Sequence, residues 1–184
     1  MRLRLRLCLI FLNALYRRTK LPISGQSVLR FMVMPWDCVI KRVGNDRYHA
    51  FMDLGRIDLI IRLGWSKTIY KSNWKLYVIT SYMRYRYPLK CFERFILRTQ
   101  IIYVDKHFIW MKHVFESKGE IVTTAISKNA AISKRGIASI TSVLNICPGN
   151  LEKPVLSEDI RTLCDTERIL RDLQESLPNL TRVI

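Results

Sequence analysis

The segment "NDRYHAFMDLGRIDLIIRLG", Asn45 to Gly64, constrains this chain more than any other. Asn45 is a good N-cap, because its side-chain oxygen can accept from the unsatisfied N–H groups of a first helical turn. Tyr48, Phe51, Met52, Ile60 and Ile61 then recur near helical spacing. With Leu54, Ile57, Leu59 and Leu63 added, the helix is apolar on most sides, so it belongs inside a structure rather than on its surface. Something must wrap it.

Strands are the wrapping the rest of the sequence predicts. Before the helix, "SVLRFMVMPW" (Ser27–Trp36) is apolar and β-prone, with Pro35 suited to a strand exit. After it, "KLYVITSYMRYRYPL" (Lys75–Leu89) runs as far as Pro88. "RFILRTQIIY" alternates cleanly, with Phe95, Leu97 and Ile101 on one face and Arg94, Arg98 and Gln100 on the other. Asp105-Lys106 links it to "HFIWMKHVFES", and a turn at Gly119 leads into "EIVTTAISKNAAI". One strand, a buried helix and then four strands in an antiparallel meander predict an α+β fold, a sheet of about five strands wrapped around one long helix. The expected divisions are a basic amphipathic segment (1–26), this domain (27–135) and a C-terminal extension (136–184). In the extension Ser157 can cap a helix over about 157–177, striped by Ile160, Leu163, Cys164, Leu170 and Leu177 and packed on the domain or on a partner subunit.

Charge narrows the company the chain keeps. Its 31 Lys and Arg against 15 Asp and Glu leave a net of +16. From Asn150 onward there are seven acidic and five basic residues, so the part before holds 26 basic and 8 acidic. Such a surplus calls for an anionic partner: nucleic acid, lipid headgroups or a phosphorylated ligand. The first residues, "MRLRLRLCLIFLNALYRRTK", contain no acid, and the apolar run Leu7–Leu12 is far shorter than the roughly 20 residues that span a bilayer. We read residues 1–20 as a helix lying on a membrane surface, which an organelle presequence or a helix packed on its own domain would match in composition. The expected location is therefore the cytoplasm or a membrane periphery, with organelle targeting open.

Five cysteines (Cys8, Cys38, Cys91, Cys147, Cys164) are odd in number and widely spaced, which argues against a disulfide framework or a zinc ribbon and for a reducing compartment. His49, His107 and His113 form no HExxH, and no metal or cofactor is expected.

The order of elements, with "FMDLGRIDLIIRLG" in the helix, resembles the acyl-CoA thioesterases of the 4-hydroxybenzoyl-CoA thioesterase type, the hotdog fold. The branch it resembles reads P-x-D-x-D-x-N-x-H-M-N-N-x-R-Y, followed by a helix with M-D-L-G-R. The likeness continues in "SVLRFMVMPWD", in "RYPLKCFERFILRTQIIYVDKHF" and in the short basic N-terminus, and it covers roughly residues 1–135, leaving the tail outside. It implies hydrolysis of acyl-CoA at a homodimer interface, or in a dimer of dimers, by a carboxylate acting as nucleophile or general base. The helix N-terminus would hold the oxyanion, with donors around Gly44, Asn45 and Asp46, and Arg42 or Arg47 would meet the CoA phosphates.

The loop departs from that pattern. "PWDCVIKRVGNDRY" is one residue shorter. Aligned from the left, Asp37 matches the first Asp and Val39 takes the catalytic place; aligned from the helix, Cys38 takes it. Arg42, Val43 and Gly44 stand where the branch has His, Met and its first Asn, and Lys112 where it commonly has Glu. Asp37 re-aimed by the deletion, Asp53 in the helix, and a Cys38 thiol near cations are the candidate replacements. Asp53 also has the i,i+3 spacing for a plain ion pair with Arg56. Two functions stand side by side: a thioesterase acting on, or only binding, fatty acyl-CoA, and an inactive hotdog scaffold in a membrane-associated or RNA-rich assembly. The second lacks any recognisable RNA-reading motif.

Overall fold

The apolar segment forms α1 (Asn45–Arg62), and an antiparallel sheet covers one of its faces. The computed structural model describes residues 21–134, 136–139 and 158–175. Around α1 come β1 (Gln26–Met32), a 3-10 turn (Pro35–Asp37), and the two-residue strands β2 (Cys38–Val39) and β3 (Arg42–Val43). After it come the short α2 (Ser66–Lys71), β4 (Lys75–Tyr85), β5 (Arg94–Val104), β6 (Phe108–Ser117), β7 (Glu120–Ser133) and β8 (Gly136–Ile137). A separate unit, Val155–Ile184, contains α3 (Glu158–Glu175). The expected membrane-surface helix at residues 1–20 lies outside the described residues, as do Ser157 and Leu177 of the expected C-terminal helix. Among the described residues, no helix is long and apolar enough to cross a membrane.

The strand order is β1-β5-β6-β7-β4, with β8 added beside β7. Only β5, β6 and β7 form a meander; β4 pairs with β7 at the far edge instead of with β5. This corrects the expected four-strand meander. Alternation identifies a strand but not its neighbour, and the connection 86–93 is long enough to pass β7 and β6, a span of three inter-strand spacings or about 14 Å. The start of α1 is corrected as well. Gly44, in extended conformation (φ −69°, ψ 148°), is the N-cap, and Asn45 already lies in the first turn.

Beneath α1 the core divides in two. Tyr48, Phe51, Met52, Phe95, Leu97 and Phe115 fill the end nearer the helix N-terminus, with Phe51 and Phe95 ring centroids 4.9 Å apart. Leu59, Ile60, Leu63, Ile101, Ile109 and Met111 fill the other end. Between them runs a buried polar belt. His113 Nδ1 lies 3.1 Å from the Thr99 hydroxyl and its Nε2 lies 3.0 Å from that of Ser127, while Asn129 donates to Ser127 Oγ at 3.0 Å. Gly55 is what lets the helix settle on this belt: a Cβ there would overlap the Thr99 hydroxyl and come within 3.1 Å of Leu97. Burial, with the Arg56 charge beside it, pushes the His113 ring down to about 3. The belt is therefore neutral, and each of its members has a partner. At β1, Ser27 donates to buried Asp58 at 2.6 Å, tying strand to helix.

Candidate active site

The face of α1 turned away from the sheet is the open one. Residues three and four apart share a helix face, and Asp46, His49, Asp53, Ile57 and Ile61 fall on one stripe opposite Tyr48, Phe51, Gly55 and Leu59. Asp46, His49 and Asp53 are exposed. The expectation of a helix buried on most sides missed this face. Toward the C-terminal end the stripe enters an apolar groove of about 630 Å³, lined by Ile57, Ile60, Ile61, Ile69, Trp74 and Leu76. At about 1.5 Å rise per residue, the helix N-terminus and this groove lie some 18 Å apart. A second groove, about 610 Å³ and edged by Arg30, Arg94 and Lys118, shares no residue with this face.

At the N-terminal end the backbone of α1 presents donors. Gly44 N–H is taken by the Asp37 carbonyl at 3.2 Å, and Arg47 N–H closes the first turn on the Gly44 carbonyl at 2.9 Å. Gly44, expected as an oxyanion donor, is thus already engaged. Asn45 and Asp46 N–H find no acceptor among the described residues. They carry the positive end of the helix dipole, about half a charge. Asp46 folds its carboxylate back over the cap, so close that a Cβ on Gly44 would lie 2.6 Å from Asp46 Oδ1 and 3.1 Å from Val39. Arg47 sits 3.2 Å from that carboxylate, while Arg42 is exposed on β3, bridged through its backbone to Lys90.

The three candidate replacements for the missing carboxylate are differently placed. Asp37 is 4% exposed, and its Oδ2 accepts Met34 N–H at 2.9 Å, which holds the 3-10 turn rather than facing a substrate. Asp53 does lie on the open face, in an ion pair with Arg56. Cys38 is half-buried and its thiol donates to the Met34 carbonyl at 3.7 Å. Burial, then the neighbouring Cys91 thiol and Asp37, pushes Cys38 up to about 11, the reverse of an activated nucleophile. Lys112 is exposed on β6, across from Gln100 and Ile126.

Two residues escaped the sequence reading in this role. Motif spacing offers His49 only as a metal ligand, and Asp46 only through its backbone N–H. The usable signal was the i, i+3, i+7 spacing of Asp46, His49 and Asp53, which aligns an imidazole between two carboxylates.

The sequence profile of the thioesterase-like superfamily matches residues 33–147, more than half of the chain. The chain belongs to that superfamily. No curated protein matches it. Among solved structures, a gentisyl-coenzyme A thioesterase is similar at 17% identity and TM-score 0.60, with 65% of this chain and 100% of that one covered. The probable thioesterase YbaW from Escherichia coli shows 16% identity and TM-score 0.60 over 64% of this chain and 92% of its own. The 4-hydroxybenzoyl CoA thioesterase from Pseudomonas sp. strain CBS-3 shows 13% identity and TM-score 0.57, covering 66% and 99%. At these identities the likeness establishes the fold: this thioesterase-like chain is α+β, a hotdog sheet on a central helix.

Proposed function

We propose that this member of the thioesterase-like superfamily hydrolyses acyl-CoA thioesters along the open face of α1. The observation that carries the reading is the continuity of that face. It starts at two free backbone N–H groups, passes the exposed His49 with Asp46 and Asp53 on the same stripe, and ends in an apolar groove. The thioester carbonyl would meet Asn45 and Asp46 N–H, whose dipole favours the negative charge that develops on oxygen. His49, exposed on the same helix face as Asp46 and Asp53, would take a proton from water. The hydroxide adds to the carbonyl carbon, the C–S bond breaks, and the proton passes from His49 to the departing CoA thiolate. Arg47 at 3.2 Å offsets the Asp46 charge beside the oxyanion, and Arg42 is free to meet CoA phosphate.

The groove's isoleucines, with Trp74 and Leu76, favour an aliphatic acyl chain, and the reading is therefore of fatty acyl-CoA. Such a chain would lie half in water unless a second subunit covered it. The β4 edge offers the place, since Tyr77, Val78 and Ile79 are exposed there and β4 pairs with β7 alone among the described strands. A homodimer joined along β4 would close the groove at Leu76. The scaffold reading leaves the open face without an occupant.

Thiol release from a panel of acyl-CoAs tests the proposal. Turnover that rises with chain length, and falls by about two orders of magnitude in His49→Gln with binding retained, is the expected result. Turnover insensitive to His49 and Asp46 substitutions would remove the proposed chemistry. No turnover, with acyl-CoA still raising Tm, would reduce the function to binding.

A further inference from the structure

At the end of the sheet where α1 begins, two turns stand side by side. Cys91 N–H donates to the Lys41 carbonyl at 3.3 Å, and Arg42 forms a backbone bridge with Lys90. The tip of the β2–β3 hairpin therefore lies against the tip of the 86–93 loop. Each tip holds an apolar side chain out to solvent: Ile40 is 94% exposed and Phe92 63%, with Val39 beside them at 66%. Both tip residues sit at positive φ, 65° for Ile40 and 62° for Phe92. Glycine or asparagine adopts that conformation at lower cost, and a β-branched residue there is a genuine outlier. Chain reversal alone does not call for isoleucine and phenylalanine at two adjacent strained tips.

The exposed charges at the tips are cationic. Lys41, Arg42 and Lys90 are exposed, and none is in an ion pair among the described residues. The carboxylates of the neighbourhood already have partners within the fold. Asp37 is buried under the 3-10 turn and Asp46 pairs with Arg47. Glu93 accepts from Lys90 N–H at 2.8 Å and from Ser117 at 2.6 Å, and although burial opposes its ionisation, these bonds and the Lys118 and Lys90 charges hold it below its usual range.

We propose that the paired tips dock this protein on an anionic lipid surface. Val39, Ile40 and Phe92 enter the boundary of the acyl chains, while Lys41 and Lys90 rest on the headgroups. Apolar side chains that project from the fold, ringed by cations, match the layered chemistry of a bilayer interface. Charge complementarity selects this occupant over a second copy, because two such tips of a chain of net charge +16 would meet cation to cation. The site is distinct from residues 1–20, and it does not rest on the thioester reading.

Sedimentation of the full chain with vesicles tests it, comparing phosphatidylcholine alone with phosphatidylcholine mixed with phosphatidylserine. The parent should bind the anionic vesicles and lose affinity as salt rises. Combining Ile40→Asn with Phe92→Asn should weaken binding about tenfold or more, as removal of two membrane-inserted apolar side chains requires. Asparagine tolerates positive φ, so Tm should hold or rise, which separates lost docking from lost folding. Lys41→Gln with Lys90→Gln should weaken binding and flatten its salt dependence. Phe92→Trp should gain fluorescence quenching by brominated acyl chains beyond the parent's. Three results overturn the proposal. One is a parent that fails to sediment with anionic vesicles. Another is a double asparagine variant that binds as well as the parent, which places the lipid contact elsewhere, as at residues 1–20. The third is an asparagine pair that abolishes self-association while leaving vesicle binding intact, which makes the tips a contact between copies.

Discussion

The two faces of α1 carry similar residues to opposite ends. Toward the sheet, Asp58 is bonded to Ser27, and Gly55 rests on a belt in which His113 has a partner at each ring nitrogen. Toward solvent, His49 stands exposed between Asp46 and Asp53. A histidine enclosed by hydroxyls and pushed down to about 3 cannot exchange protons near neutrality, so its polarity serves packing. A histidine on an open face beside free N–H donors can take part in chemistry. Residue type does not separate the two; enclosure does.

That contrast can be broken by substitution. The largest effect belongs to the sheet face: Phe51→Ala should cost about 3–5 kcal/mol, since its ring packs on Phe31 and Phe95 in a filled core. Urea unfolding measures it, and a loss below 1 kcal/mol would mean that the face is loosely packed. On the open face, His49→Gln should leave stability within about 0.5 kcal/mol while lowering kcat/KM about a hundredfold. A stability loss without an activity loss would reverse the assignment of the two faces. Gly55→Ala should cost about 1–3 kcal/mol by lifting the helix off Thr99, and a simultaneous Thr99→Ala should restore part of it.

Acid provides a finer probe. The His113 value is about 3 in the folded protein against 6.5 ordinarily, so the unfolded chain binds the extra proton between those limits. Stability should be full above about 6.5 and decline as the pH falls toward 3, and His113→Phe should flatten that decline. Denaturant midpoints across this window decide it; equal slopes in both proteins would sink the enclosed-histidine account. The smallest change is expected from Asp53→Asn, about 0.5–1 kcal/mol, because the Asp53 carboxylate is itself half in water although the Arg56 that it partners is buried.

Local pattern located α1, the five long strands and the alternation of β5, because each is a rule that the chain repeats every few residues, while the two-residue β2, β3 and β8 went unread. The helix signature and the segment that becomes β5 likewise carried the resemblance to the superfamily, although the loop before the helix departs from its pattern. α2, between Gly64 and Trp74, went unread because one and a half turns carry too little pattern. The edge position of β4, the one open face of α1 and the fate of each carboxylate were decided only by tertiary structure. Asp37 and Asp46 are equally good bases on paper. One is closed under a turn by Met34 N–H, and the other is left at a helix end with its carboxylate in water. Which lone pairs are filled, and which strand lies beside which, depends on residues far away in sequence, and local spacing holds no record of them.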